Sequence, residues 1–198
     1  MEWNKLVNNN HGTVFSDVAK FAHLLRWFGD PILRTPCQEI SPHEMNTLEI
    51  QELAQKLIAV LKQIRYVTGI GRGLAAPQIG VPKRMVAIFQ AGEYQILVNP
   101  KISHISKEQG VYPEMCLSGM PISANVVRPW RVDIEYQDMS GHYHNLWADP
   151  MLSRLLQHEI DHLSGILFID KADVQSIAFV SDFETYKTQS KLIQLEQT

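Results

Sequence analysis

Gln157-His158-Glu159-Ile160-Asp161-His162 carries the clearest chemistry in the chain. Residues three or four apart share one face of a helix, so His158 and His162 are expected to point the same way, one turn apart. Two neutral imidazoles at that spacing can hold one divalent metal, with Glu159 beside them as general base for a water that the ion acidifies. The plain alternative is a surface helix that happens to carry two histidines. Met151, Leu155, His158 and His162 fall on one stripe, however, and polar rings on an inward stripe need partners. Arg154, one turn before His158, leans toward the same place. A buried arginine needs a partner as well, so Arg154 is expected to face a cleft. A catalytic site of the zinc type wants three protein ligands and one open position. No histidine follows His162, and the glutamates after it, Glu184 and Glu196, lie in polar sequence. Upstream, Cys116 stands in Glu114-Met115-Cys116-Leu117-Ser118, and a thiolate is a good ligand for Fe(II) or zinc. Its plain alternative is a small buried hydrophobe, common for a free cysteine.

These residues need a scaffold. Asp149 can cap a helix that starts at Pro150, and Gly165 can end it. Apolar residues recur through it at a helical period. Ser41-Pro42-His43-Glu44 has the form of a capping box. Ile50, Leu53, Leu57, Val60, Leu61 and Ile64 then mark a long amphipathic helix that stops near Gly69. Residues 1–14 read as a polar tail and 15–27 as a short helix broken at Gly29-Asp30-Pro31. Strand-like runs cover 85–89, 94–98, 132–136 and 142–147, with a turn at Asp138-Met139-Ser140-Gly141. Their short connections favour antiparallel pairing. The expected class is α+β, with antiparallel sheets packed around a central helix that carries the histidines.

With 198 residues, 45% hydrophobic and 20% charged, the chain suits one globular domain with a real core. The expectation is a single catalytic domain over 1–198, with extensions at 1–28 and 171–198. A net charge of -3 offers no broad basic field for nucleic acid. Two cysteines, Cys37 and Cys116, do not make a disulfide scaffold. No apolar run approaches the roughly 18 residues of a membrane span. The first residues lack the apolar core of a signal peptide and the arginines of a transit peptide, so cytoplasmic residence is the expectation.

Three motifs together resemble the peptide deformylase family: Gly71-Arg72-Gly73-Leu74-Ala75-Ala76-Pro77-Gln78, then Glu114-Met115-Cys116-Leu117-Ser118, then Gln157-His158-Glu159-Ile160-Asp161-His162. The resemblance runs from about Gly29 to Asp170. It implies an α+β fold and removal of the formyl group from N-formylmethionyl peptides as they leave the ribosome, a candidate partner. It further implies that Cys116, His158 and His162 bind the metal, Fe(II) natively, with zinc, nickel or cobalt able to replace it. Glu159 would carry the proton, while the Gln78 side chain and the Leu117 backbone N–H stabilise the oxyanion. Gly71, Arg72, Gly73, Glu114, Met115 and Arg154 would meet substrate, and Asp161 would pair with Arg128.

The chain departs from the family pattern at Met115, where glycine is usual, and at Arg72 and Arg154, where apolar residues line the methionine pocket in bacterial members. Arginines there resemble the organelle-type branch. Either they reach out to solvent and leave the pocket apolar, or they make it narrower and more polar. Two rival functions stand beside the deformylase reading. A zinc peptidase fits less well, because Cys116 takes the place of a downstream ligand. A deformylase-like protein that binds peptides or ribosomes with low turnover has only Met115 in its favour.

Overall fold

The computed structural model describes residues 11–195. Of the expected polar tail, 1–10 lie outside the described residues, but 11–14 do not belong to a tail. They open helix α1 (His11–Phe21), and Val14 is buried in the main core. The helix expected over 15–27 therefore starts earlier and stops at Phe21, passing into a single 3-10 turn at Ala22–Leu24. The Arg26 N–H donates to the Gln78 carbonyl at 2.7 Å, which draws the chain out of the helix and onto the glycine-rich segment.

The capping box is present, with Ser41 and Glu44 reciprocally bonded, but α2 (Pro42–Met45) is one turn long. The chain leaves helical geometry at Asn46 and Thr47 before α3 (Leu48–Thr68) begins. The α3 helix buries Ile50, Leu53, Leu57, Leu61 and Ile64 along one stripe. It ends at Gly69, whose left-handed φ of 69° suits glycine and lets its N–H close on the Arg65 carbonyl.

Then follow β1 (Gly73–Ala75), β2 (Met85–Gln90), β3 (Glu93–Ile105), β4 (Gln109–Met115), β5 (Ile122–Pro129), β6 (Val132–Gln137) and β7 (Tyr143–Trp147). After α4 (Pro150–Leu163) come the short β8 (Ala178–Phe179), α5 (Phe183–Gln189) and β9 (Ile193–Gln194). All pair antiparallel in two sheets, one ordered β1-β2-β3-β6-β7 and the other β8-β5-β4-β9. The fold is α+β, as expected. The turn at Asp138–Gly141 closes the β6–β7 hairpin, with the Asp138 carboxylate accepting from the Ser140 and His142 N–H groups.

The strand β2 shows how the layers stack. Met85 and Ala87 face the core under α3, while Val86 and Ile88 face a second core with Leu152, Leu156 and Leu163 of α4. Successive side chains on a strand point to opposite faces, so the five-stranded sheet lies between the two long helices. The other side of α4 meets the β4–β5 hairpin, and α4 thus becomes the central helix. Among the described residues no helix is long and apolar enough to cross a membrane.

Candidate active site

Helix α4 starts as the sequence predicts. Asp149 accepts from the Leu152 N–H at 2.8 Å and Pro150 occupies the first turn. Its inward face then carries Arg154, Gln157, Glu159 and His162, all buried. Cys116 reaches the same place from the end of β4, where the chain turns into the 3-10 segment Leu117–Gly119. Gly119 leaves room for the Phe28 ring to pack on that turn, since a Cβ there would lie 2.5 Å from it.

One ligating atom each from Cys116, His158 and His162 lie within 4.8 Å of one another, with the Cys116 Sγ 3.2 Å from the His162 Nε2. The His158 Nδ1 lies 2.9 Å from the Glu114 carboxylate, an arrangement that fixes the tautomer and leaves Nε2 free to ligate. The donor set fits one divalent cation. Sulfur and imidazole converge, two of the three groups are 1% exposed, and the His162 Nδ1 and Glu159 Oε2 are buried atoms without a hydrogen-bond partner among the described residues.

The charges around the site have clear causes. Burial works against the charged form of His158, but hydrogen bonds to Cys116 and Glu114 outweigh it and hold its pKa well above the ordinary value. A bound cation would displace that proton, because ligating imidazoles are neutral. Burial, with the cationic charge of His158 and Arg128, pushes His162 well below its ordinary value. Burial raises the Glu159 carboxyl to about 7. A carboxyl in that range can both take up and give back a proton near neutrality.

Glu114 is the hub of this network. Its carboxylate accepts from Arg128 Nε at 2.7 Å and Nη2 at 3.0 Å, from Arg154 Nη1 at 2.5 Å, and meets His158. Desolvation would raise it, yet the bonds from His158 and Arg128 hold it well below the usual carboxylate range. The expected Asp161–Arg128 pair is present at 2.6 Å, and Lys171 covers Asp161 from outside. Arg128 thus ties β5 to both β4 and α4. Removing one partner from such a buried group leaves an uncompensated charge, which costs about 3–5 kcal/mol.

Gln78 sits in the turn Ala76–Ile79, 1% exposed. Its Oε1 accepts from the Ala75 N–H at 2.8 Å, which leaves the Nε2 side directed at Ser118 Oγ (3.1 Å) and Cys116 Sγ (3.5 Å). Gly73 has a packing reason of its own, since a Cβ there would lie 2.4 Å from the Glu159 Oε1. Gly71 holds a φ of +90°, a conformation that favours glycine.

A cleft of about 460 Å³ opens over these groups. Gly71, Arg72, Gly73, Gln78, Glu114, Met115, Leu117, Arg154, His158 and Glu159 all line it. Cys116 and His162 are buried and do not reach its surface. Arg154 does not reach out to solvent. It is 5% exposed and also donates to the Val126 and Gly110 carbonyls. Met115 is half-buried at the wall and packs on the main core. The sequence reading missed Glu114 as a hub, Ser118 beside Gln78, and the C-terminal residues Tyr186 and Lys187 in the cleft lining. Glu114 was legible only as part of a motif, because its partners come from β5 and α4.

A central helix that brings two histidines and a glutamate to a buried thiol, under a peptide-sized cleft, defines a hydrolase of the His-Glu-x-x-His class. A family model described as polypeptide deformylase matches residues 23–177. A peptide deformylase from Bartonella tribocorum is 41% identical over 149 residues, covering 71% of this chain and 79% of the relative. Among solved structures, the peptide deformylase of Thermotoga maritima superposes with a TM-score of 0.68 at 30% identity, covering 75% of this chain and 96% of that one. A peptide deformylase from Synechococcus elongatus in complex with actinonin gives 0.68 at 33% identity, over 76% of this chain and 80% of that one. The chain belongs to the polypeptide deformylase family.

Proposed function

We propose that this chain hydrolyses the N-formyl group from the N-terminal formylmethionine of nascent peptides and releases formate. The convergence of Cys116, His158 and His162 beside a buried Glu159 carries the reading. These three residues would hold one divalent cation, which supplies Lewis acidity and lowers the pKa of water from about 15.7 toward 7. Fe(II) is the proposed native ion, and zinc, nickel or cobalt would substitute, since a thiolate with two imidazoles suits them all.

The protein's own groups do the rest. Glu159 takes a proton from the attacking water and delivers it to the departing amine nitrogen. Its burial keeps the carboxyl in a range where both transfers are easy. The Gln78 Nε2 and the Leu117 backbone N–H donate to the formyl oxygen as negative charge grows there. Gln78 is held for this by the Ala75 N–H. A fixed donor of this kind lowers a barrier by about 2.7–4 kcal/mol. Gly71, Arg72 and Gly73 flank the extended peptide along the cleft, with Met115 and Arg154 on its walls. Access to nascent chains makes the ribosome the natural partner.

The test is formate release from an N-formyl-methionyl peptide by protein loaded anaerobically with Fe(II). Activity should vanish on chelation and return with the metal. Cys116→Ala should lose both metal and formate release. A Cys116→Ala protein with full metal content and rate would refute the assigned ligand set.

A further inference from the structure

The mouth of the cleft is cationic in a chain of net charge -3. Arg65, Arg72 and Lys187 line it, and the carboxylates in the lining, Glu114 and Glu159, lie buried inside. Arg65 is fixed, with its Nη1 donating to the Gly71 carbonyl at 2.7 Å and its guanidinium 3.7 Å from the centre of the Phe89 ring. Arg72 has no carboxylate partner among the described residues. Lys187 has Glu184 at 3.2 Å, but both side chains are more than half exposed, so the pair is weak and easily exchanged.

Lys187 reaches the mouth because the C-terminal segment is tied down there. This segment lies beyond the residues matched by the family model. Two short strands anchor it, β8 on β5 and β9 on β4. Between them the Tyr186 hydroxyl donates to the Pro113 carbonyl at 2.6 Å, three residues before Cys116. The Lys187 Nζ would lie 3.9 Å from a Cβ at Gly69, at the end of α3 and three residues from Arg72. Lys187 thus comes close to the segment that carries Arg72, and both cations line the cleft.

Resting on the deformylase reading above, we infer that Arg72 and Lys187 select N-formyl peptides that carry a carboxylate downstream of the formylated residue. The methionine end would pack in the cleft against Met151 and Leu155. The following residues would pass along the lining that carries both cations, where an acidic group gains and a basic one is repelled. The carboxylate could belong to a side chain or to the end of a short peptide.

The measurement is kcat/KM for N-formyl-Met-Ala-Xaa amides and N-formyl-Met-Xaa-Ala amides with Xaa as Asp, Ser or Lys, at low and high salt. The serine peptide as free acid and as amide separates a terminal carboxylate from a side-chain one. At low salt Asp should exceed Lys by roughly tenfold at one of the two positions, about two- to fivefold from each partly exposed cation. The ratio should shrink at high salt. Lys187→Glu should reduce or invert it, and Arg72→Gln should lower it. The ratio is read within each protein, so a variant that is merely less active still reports. Equal rates on Asp and Lys peptides, or a ratio unmoved in Lys187→Glu, overturn this inference alone. No formate from any peptide overturns the deformylase reading and this inference with it.

Discussion

Two long helices pack on opposite faces of the same five-stranded sheet, and they bury different things. On α3 the inward stripe is Ile50, Leu53, Leu57, Leu61 and Ile64, with Thr68 at its end. On α4 it includes Arg154, Gln157, Glu159 and His162 beside Leu152, Leu156 and Leu163. An apolar stripe stabilises by leaving water. A buried charge does not, unless other elements supply partners. The partners here come from β4 and β5 as Glu114 and Arg128, and from the end of β4 as Cys116. The helix with the less favourable buried face is the one that carries the chemistry, and its neighbours are shaped around it.

The largest test of this contrast is Glu159→Ala. Formate release should fall by about 100- to 10,000-fold, the usual contribution of a proton carrier, with metal content unchanged. Stability should hold or rise, because a buried carboxylate oxygen without a partner among the described residues is removed. Leu57→Ala on α3 should do the reverse. It should lower unfolding free energy by about 2–5 kcal/mol in urea titration and leave the rate per folded molecule unchanged. If Leu57→Ala slowed the folded enzyme as Glu159→Ala does, the division between scaffold and site would fail. Asp149→Ala falls between them. Loss of the bond to the Leu152 N–H should cost about 1 kcal/mol, read as a lower urea midpoint with a small change in rate.

Both helices were legible in the sequence, for different reasons. The apolar period of α3 and its terminal Gly69 needed no context. For α4 the cap at Asp149, Pro150 and the paired histidines sufficed, and the three motifs brought Cys116 and Gln78 to the same site. The hairpin of β4 and β5 was not legible. Gly110 and Pro113 interrupt β4, and β5 points Arg128 inward while Ile122 and Val127 stay exposed, so the alternation that marks a strand is scrambled by the ion network. The start of α1 was hidden by its polar composition. The role of the C-terminal segment was hidden because two-residue strands leave no periodic trace. The fate of Arg154 depended on a carboxylate forty residues away, which local pattern cannot supply.

Gly73 has one further consequence. A single hydrogen is the clearance between the first strand and the Glu159 carboxylate, and that strand also borders the cleft. Any bulk added at this position would have to displace one or the other. On the proposed reading, the seat of the peptide and the carboxylate that would carry the proton meet at one backbone atom, and a change in either would be felt by its counterpart.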